Sequence, residues 1–99
     1  MKDLYAIDMD KTLCRDTCFS PEECLNARPN LDMIKKVNQV AIRDHIIIYT
    51  ARSDDLIPAT LKWLRKHDIR HSGICNEKRA YTYYIDDKAV TIEQFLNEE

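Results

Sequence analysis

Glycine is almost absent from this chain: Gly73 is the only one in 99 residues. A phosphate-cradling Walker loop or a dinucleotide fingerprint needs several glycines at fixed spacing, so both are excluded. Long hydrophobic runs are missing as well. Nothing approaches the roughly 20 apolar residues of a membrane-spanning helix, and no membrane partner is expected. Charge already appears at Lys2 and Asp3, and the apolar run that follows is too short for a secretory leader. The four cysteines lack the paired CxxC spacing of a zinc site. They are expected as free thiols in a reducing cytoplasm. Cys14, Cys18 and Cys24 fall within eleven residues, which leaves a metal or redox role open. Nor is there a strong excess of one charge: the net value is −2, so the chain as a whole has no general attraction for nucleic acid.

What the sequence does have is an alternation of strand and helix patterns, and that favours a parallel α/β sheet. Its length suits one domain spanning 1–99. Residues 3–8 read as a first strand. Residues 11–29 lack periodicity and contain Ser20-Pro21 and Arg28-Pro29, and are expected to form a loop or flap over the site. Asn30 is a candidate N-cap for a helix to about Asp44, with the stripe Leu31, Ile34, Val37, Ala41 and Ile42. The β-branched run Ile46-Ile47-Ile48-Tyr49 reads as a second strand. A helix capped by Asp54 or Asp55 should run to about His67, because Pro58 is tolerated only in a first turn. Its buried face would be Ile57, Leu61 and Leu64. Gly73-Ile74-Cys75 reads as a weak third strand and residues 81–85 as a fourth. Thr91-Ile92-Glu93-Gln94 matches a capping box that opens a short final helix.

Two of these strands end in paired acids. Ala6-Ile7 runs into Asp8-Met9-Asp10, and Tyr84-Ile85 runs into Asp86-Asp87. Ligands of open α/β sheets bind outside the carboxyl ends of the strands, so these four acids are expected to face one pocket. Crowded carboxylates repel, and Mg²⁺, a hard ion that takes carboxylate and phosphate oxygens, would remove the conflict. In chain order the candidate groups are Asp8-x-Asp10-x-Thr12, Thr50 after the second strand, Lys78 in a loop, and Asp86-Asp87. Each answers one demand of phosphate-ester hydrolysis. A carboxylate can attack phosphorus. A second one, two residues on, can protonate the leaving oxygen. A hydroxyl and an ammonium can bind the equatorial phosphoryl oxygens.

The arrangement resembles the haloacid dehalogenase (HAD) superfamily, whose signature is a hydrophobic-D-x-D-x-T motif, a Thr or Ser after strand two, a Lys and a DD pair. Here the matching segments are Ala6-Ile7-Asp8-Met9-Asp10-Lys11-Thr12-Leu13, Ile48-Tyr49-Thr50-Ala51-Arg52 and Tyr84-Ile85-Asp86-Asp87-Lys88-Ala89. The resemblance implies a three-layer, Rossmann-like parallel sheet flanked by helices, with no room for a cap domain. It implies Asp8 as nucleophile and Mg²⁺ ligand. Asp10 would be the general acid/base and a ligand through its carbonyl. Thr50 and Lys78 would hold the phosphoryl group. Asp86 would bind the metal, with Asp87 acting through water or orienting Lys78, and Thr12 would support the turn. Arg79 and Lys88 compete with Lys78 for its role. Lys11 stands where many members have glycine. Within the superfamily, the segments look like small phosphatase-like proteins of capsule or surface-sugar biosynthesis, and like the phosphatase domain of polynucleotide kinase–phosphatases. In either, Arg52 would sit at the pocket rim as a phosphate or sugar-phosphate ligand.

The expected function is therefore a Mg²⁺-dependent phosphatase acting on a small sugar or nucleotide phosphate through an aspartyl-phosphate. A polynucleotide 3′-phosphatase is the alternative. It is kept open by the window 62–79, where Lys62, Arg65, Lys66, Arg70, Lys78 and Arg79 face only Asp68 and Glu77. A reading from another class is a non-catalytic phospho-acceptor, or a module that only binds a phosphorylated ligand. A neighbouring subunit of a homo-oligomer could cover the open pocket.

Overall fold

A computed structural model describes residues 2–78 and 87–98. Its framework is a parallel sheet in the order β1-β2-β3, built from Leu4–Ile7, His45–Tyr49 and Gly73–Cys75. Tyr5 pairs with Ile46, Ile7 with Ile48, and Ile48 with Ile74, so these residues share one face of the sheet. Ile7, Ile46 and Ile48 are buried on it. Gly73 lies on the opposite face, where a Cβ would meet Ile47 Cδ1 at an ordinary 3.7 Å, so close packing does not demand glycine there. The expected strand at 81–85 and its terminal Asp86 lie outside the described residues, as does Arg79.

Among the described residues, four α-helices flank the sheet: α1 Pro21–Leu25, α2 Leu31–Val40, α3 Ile57–Lys66 and α4 Ile92–Leu96. Asn30 caps α2 as expected, its side chain accepting from Met33 N–H at 3.3 Å. Helix α2 ends at Val40, four residues before the expected Asp44, and Ala41–Arg43 form a turn. The expected stripe therefore holds only in its middle. Met33, Ile34 and Val37 are buried, whereas Leu31 and Ile42 at its ends are 67% and 70% exposed. A short 3₁₀ turn, Asp54–Leu56, precedes α3, and Pro58 sits in the first turn of that helix. The face of α3 that goes inward is Ala59, Thr60, Trp63 and Leu64, with Ile57 and Leu61 only half-buried. The Thr91–Gln94 capping box opens α4 as expected. The Phe95 ring of α4 lies 5.8 Å from that of Tyr5, which sets α4 against β1. Among the described residues no helix is long and apolar enough to cross a membrane.

Residues 11–29 depart most from expectation. They are not a loose flap: Leu13, Cys14, Cys18, Cys24 and Ala27 are all core residues. Ser20-Pro21 opens helix α1 instead of marking a loop. Ser20 Oγ accepts from Glu23 N–H at 3.1 Å, and Pro21 stands where a missing N–H costs nothing. The two ends of the segment pair with each other. Arg15 N–H donates to Arg28 O at 2.7 Å, and Asn30 N–H to Leu13 O at 2.8 Å. Arg28 grips the Asp16 carboxylate through Nε and a terminal nitrogen at 3.0 and 2.6 Å. Trp63, fully buried, donates its indole N–H to Ala27 O at 2.9 Å and fastens the segment to α3.

Candidate functional site

The parallel sheet directs the carboxyl ends of its strands to one edge, and the chain places Asp8, Thr50 and the 76–78 segment just beyond them. Immediately after Asp8 the backbone coils into the tight turn Met9–Leu13. Met9 and Leu13 anchor this turn in the core. Lys11 lies in the left-handed region, at φ 62° and ψ 14°. The turn brings Thr12 back over Asp8, and the Thr12 hydroxyl donates to Asp8 Oδ2 at 3.3 Å. Lys78 Nζ, 70 positions along the sequence, pairs with Asp8 Oδ1 at 3.2 Å. Lys78 is thus the basic residue of the three candidates that meets Asp8 among the described residues; Lys88 is exposed.

Asp10 belongs to a second, adjoining cluster. Arg52 approaches its carboxylate as a fork, the terminal nitrogen 2.7 Å from Oδ1 and Nε 3.3 Å from Oδ2. Cys18 N–H adds a bond to Oδ1 at 3.2 Å. The other arm of Arg52 donates to Thr60 Oγ1 at 2.8 Å, and Thr60 in turn donates to Leu56 O. The Arg52 side chain is 1% exposed and that of Asp10 23%. Burial alone would weaken the charge on Arg52; the bonds to Asp10 outweigh it and raise the guanidinium pKa. The rim position expected for Arg52 is therefore not where the structure puts it. Its side-chain donors face Asp10, Thr60 and the Cys14 thiol. Thr50 is fully buried, and its hydroxyl accepts from Arg52 N–H at 3.2 Å. No hydrogen bond among the described residues joins Thr50 to Asp8. Asp87 is exposed, and Asp86 lies outside the described residues.

Thr60 was not legible as a site residue, and Cys18 was singled out only for its thiol. The only trace of Thr60 in the sequence is a hydroxyl on the inward stripe of an amphipathic helix. Cys18 acts through its backbone, which leaves no mark in residue type.

The Asp10 carboxylate and the Cys14 and Cys18 thiols lie within 4.8 Å of one another, a grouping that resembles a metal site. Its chemistry does not suit Mg²⁺, which selects oxygen donors. Burial pushes the Cys14 thiol up and that of Cys18 to about 12, so both stay protonated. Asp10 meanwhile already holds a guanidinium. Among the described residues, the oxygen-donor carboxylate at this strand end outside that grouping is Asp8, which meets Thr12 and Lys78. All four cysteines are free thiols.

Neither a protein-family model nor a curated protein sequence matches the chain. Among solved structures, a crystal structure of a structural-genomics target from Vibrio cholerae is similar over 100% of this chain and 90% of its own, at 25% identity and a TM-score of 0.85. The likeness is one of fold: a small α/β unit whose parallel sheet is flanked by helices.

Proposed function

We propose that this chain is a Mg²⁺-dependent phosphomonoesterase of the HAD type, a capless three-layer unit that cleaves the phosphate ester of a small sugar or nucleotide phosphate. The observation that carries this reading is the meeting of Lys78 with Asp8 at 3.2 Å beside the Arg52-held Asp10. A sequence-distant ammonium on a carboxylate at a strand end is what phosphoryl capture requires.

In the proposed reaction an Asp8 carboxylate oxygen attacks phosphorus and the bond to the leaving oxygen breaks, giving an aspartyl-phosphate. Lys78 balances the charge on the transferring group, and Thr50 adds a hydroxyl at the same sheet edge. Asp10 gives a proton to the leaving oxygen. It then takes one from the water that attacks the aspartyl-phosphate and frees inorganic phosphate. Oδ1 of Asp10 is occupied by Arg52 and Cys18, whereas Oδ2 has only the longer 3.3 Å bond, so Oδ2 is the oxygen that moves the proton. The fork from Arg52 fixes its direction. Asp8, the Asp10 carbonyl, Asp86 and Asp87 would hold Mg²⁺, which supplies charge neutralisation between carboxylate and phosphate. Four free thiols suit a reducing cytoplasm.

The basic window gives little weight to a polynucleotide substrate. Arg65, Arg70 and His71 line a groove with Lys35 and Asn38 of α2, on the side where the chain enters β3, away from the carboxyl ends of the strands. The test is release of phosphate from a generic aryl phosphate, with Mg²⁺ and with the metal chelated. Turnover should require Mg²⁺ and disappear in Asp8→Asn. A folded Asp8→Asn variant with full turnover would remove the nucleophile assignment. A lasting aspartyl-phosphate with no phosphate release would favour the phospho-acceptor reading instead.

A further inference from the structure

Helices α2 and α3, together with residues 68–71, line a groove of about 1050 Å³. We infer that this groove docks an acidic, amphipathic helical segment of a partner protein. It lies where the chain enters β3, away from the carboxyl ends of the strands, so its occupant is independent of the reaction proposed above.

The groove carries charge that the described chain does not use. The side chains of Lys35, Arg65 and Arg70 are exposed and make no hydrogen bond or ion pair among the described residues. Asp68 is the one acid in the lining. The whole chain has a net charge of −2, so this excess of cations is local and the rest of the chain is more acidic still. An acidic partner is drawn to the groove and repelled elsewhere, which adds selectivity to attraction. Beside the cations the lining is aliphatic. Leu64 and Ile69 are buried, Leu61 is half-buried, and Ile42 stands 70% exposed as a point for an apolar anchor. An amphipathic helix lays aliphatic residues into a groove of this kind and turns its polar face to the rims.

The groove is also built in advance. Asn38 of α2 donates through Nδ2 to Asp68 O at 3.0 Å and accepts Arg70 N–H on Oδ1 at 2.8 Å, which ties α2 to the loop after α3. Asp68 turns that loop sharply, at φ 53°. A surface already held in shape lowers the ordering cost of docking. Nucleic acid would meet the same cations, but no Phe, Tyr or Trp lines the groove for a base to stack on. A bilayer presents a flat surface, whereas these cations line a recess between helices.

In the experiment, a random peptide library displayed on phage is selected against the full chain. Enriched sequences are then synthesised and titrated by fluorescence anisotropy. They should carry Asp or Glu around aliphatic residues spaced i, i+3, i+4 and i+7, and should bind more weakly as salt is raised. Arg65→Glu and Arg70→Glu should each raise Kd about tenfold or more, because a like charge then faces the peptide. Ile42→Asp should do the same by removing the anchor. All three positions are exposed, so the urea midpoints of these variants should match the wild type. Lys62→Glu makes the same charge change on α3 outside the lining, and should leave Kd within about twofold. A selection that enriches no acidic sequence would overturn the inference, as would peptides that bind the groove variants and Lys62→Glu alike. So would a single-stranded oligonucleotide, or a vesicle of phosphatidylserine and phosphatidylcholine, that binds more tightly than every peptide and loses that binding in Arg65→Glu.

Discussion

Lys11 holds φ 62° without being glycine, and an L side chain reaches that region at a cost of roughly 1–2 kcal/mol. Glycine there relieves the strain but adds unfolded-chain entropy worth about 0.4–1 kcal/mol. Lys11→Gly should therefore stabilise the chain by about 0.5–1 kcal/mol in urea unfolding, while Lys11→Val, stiff at Cβ, should destabilise it by more than about 1 kcal/mol. Equal midpoints for the two variants would contradict the strained turn. The same residue scale decides Arg52. Removing it leaves Asp10, Cys14 and Thr60 without their shared donor. Arg52→Ala should lose about 3 kcal/mol, the low end for breaking a buried pair, because Asp10 keeps some contact with water. Arg52→Lys keeps the charge but not the fork, and should lower kcat while sparing most of the stability. Stability and kcat both unchanged in Arg52→Ala would refute the positioning role. The sequence named Asp8, Asp10, Lys78 and Arg52, because strand ends and motif spacing are one-dimensional. It missed the buried direction of Arg52, because that depends on Thr60, a residue whose contact is made only after α3 packs.

Segment 11–29 is the element in which expectation and structure part. Ser20-Pro21-Glu22-Glu23 has a cap, a proline for the first helical position and acids for the first turn, the full grammar of a helix start. Read as proline-marked loop, it concealed a five-residue helix too short for a hydrophobic stripe to show. Its cysteines are small apolar core residues, packed under the Asp16–Arg28 clasp. That clasp has a pH signature. Side-chain and backbone hydrogen bonds from Arg28 hold the half-buried Asp16 carboxyl at about 2, against an ordinary value of 3.8. A depressed acid contributes stability above its unfolded pKa and loses it as pH falls through the folded one. The stability difference between the wild-type chain and Asp16→Asn should accordingly be constant above about pH 4 and close between 3.8 and about 2. A difference that does not change across this window would mean that the clasp adds nothing to folding.

At the scale of the whole molecule, the parallel order β1-β2-β3 gathers groups from far apart in sequence onto one sheet edge. The α/β class was legible in the alternating patterns, and so were the capped starts of α2 and α4. The end of α2 was not, since Ala41 and Ile42 continue a helical stripe that the turn into β2 interrupts. The pairing of Asp8 with Lys78 is what joins the fold to the proposed chemistry, in which Asp8 would capture the phosphoryl group. The most direct measurement is acid quenching of the chain during turnover of an aryl phosphate with Mg²⁺, followed by peptide mass spectrometry. The expected result is a phosphoryl group on the peptide carrying Asp8, absent in Asp8→Asn. Phosphate release with the label on another side chain, or with none on a chain quenched while turning over, would contradict it.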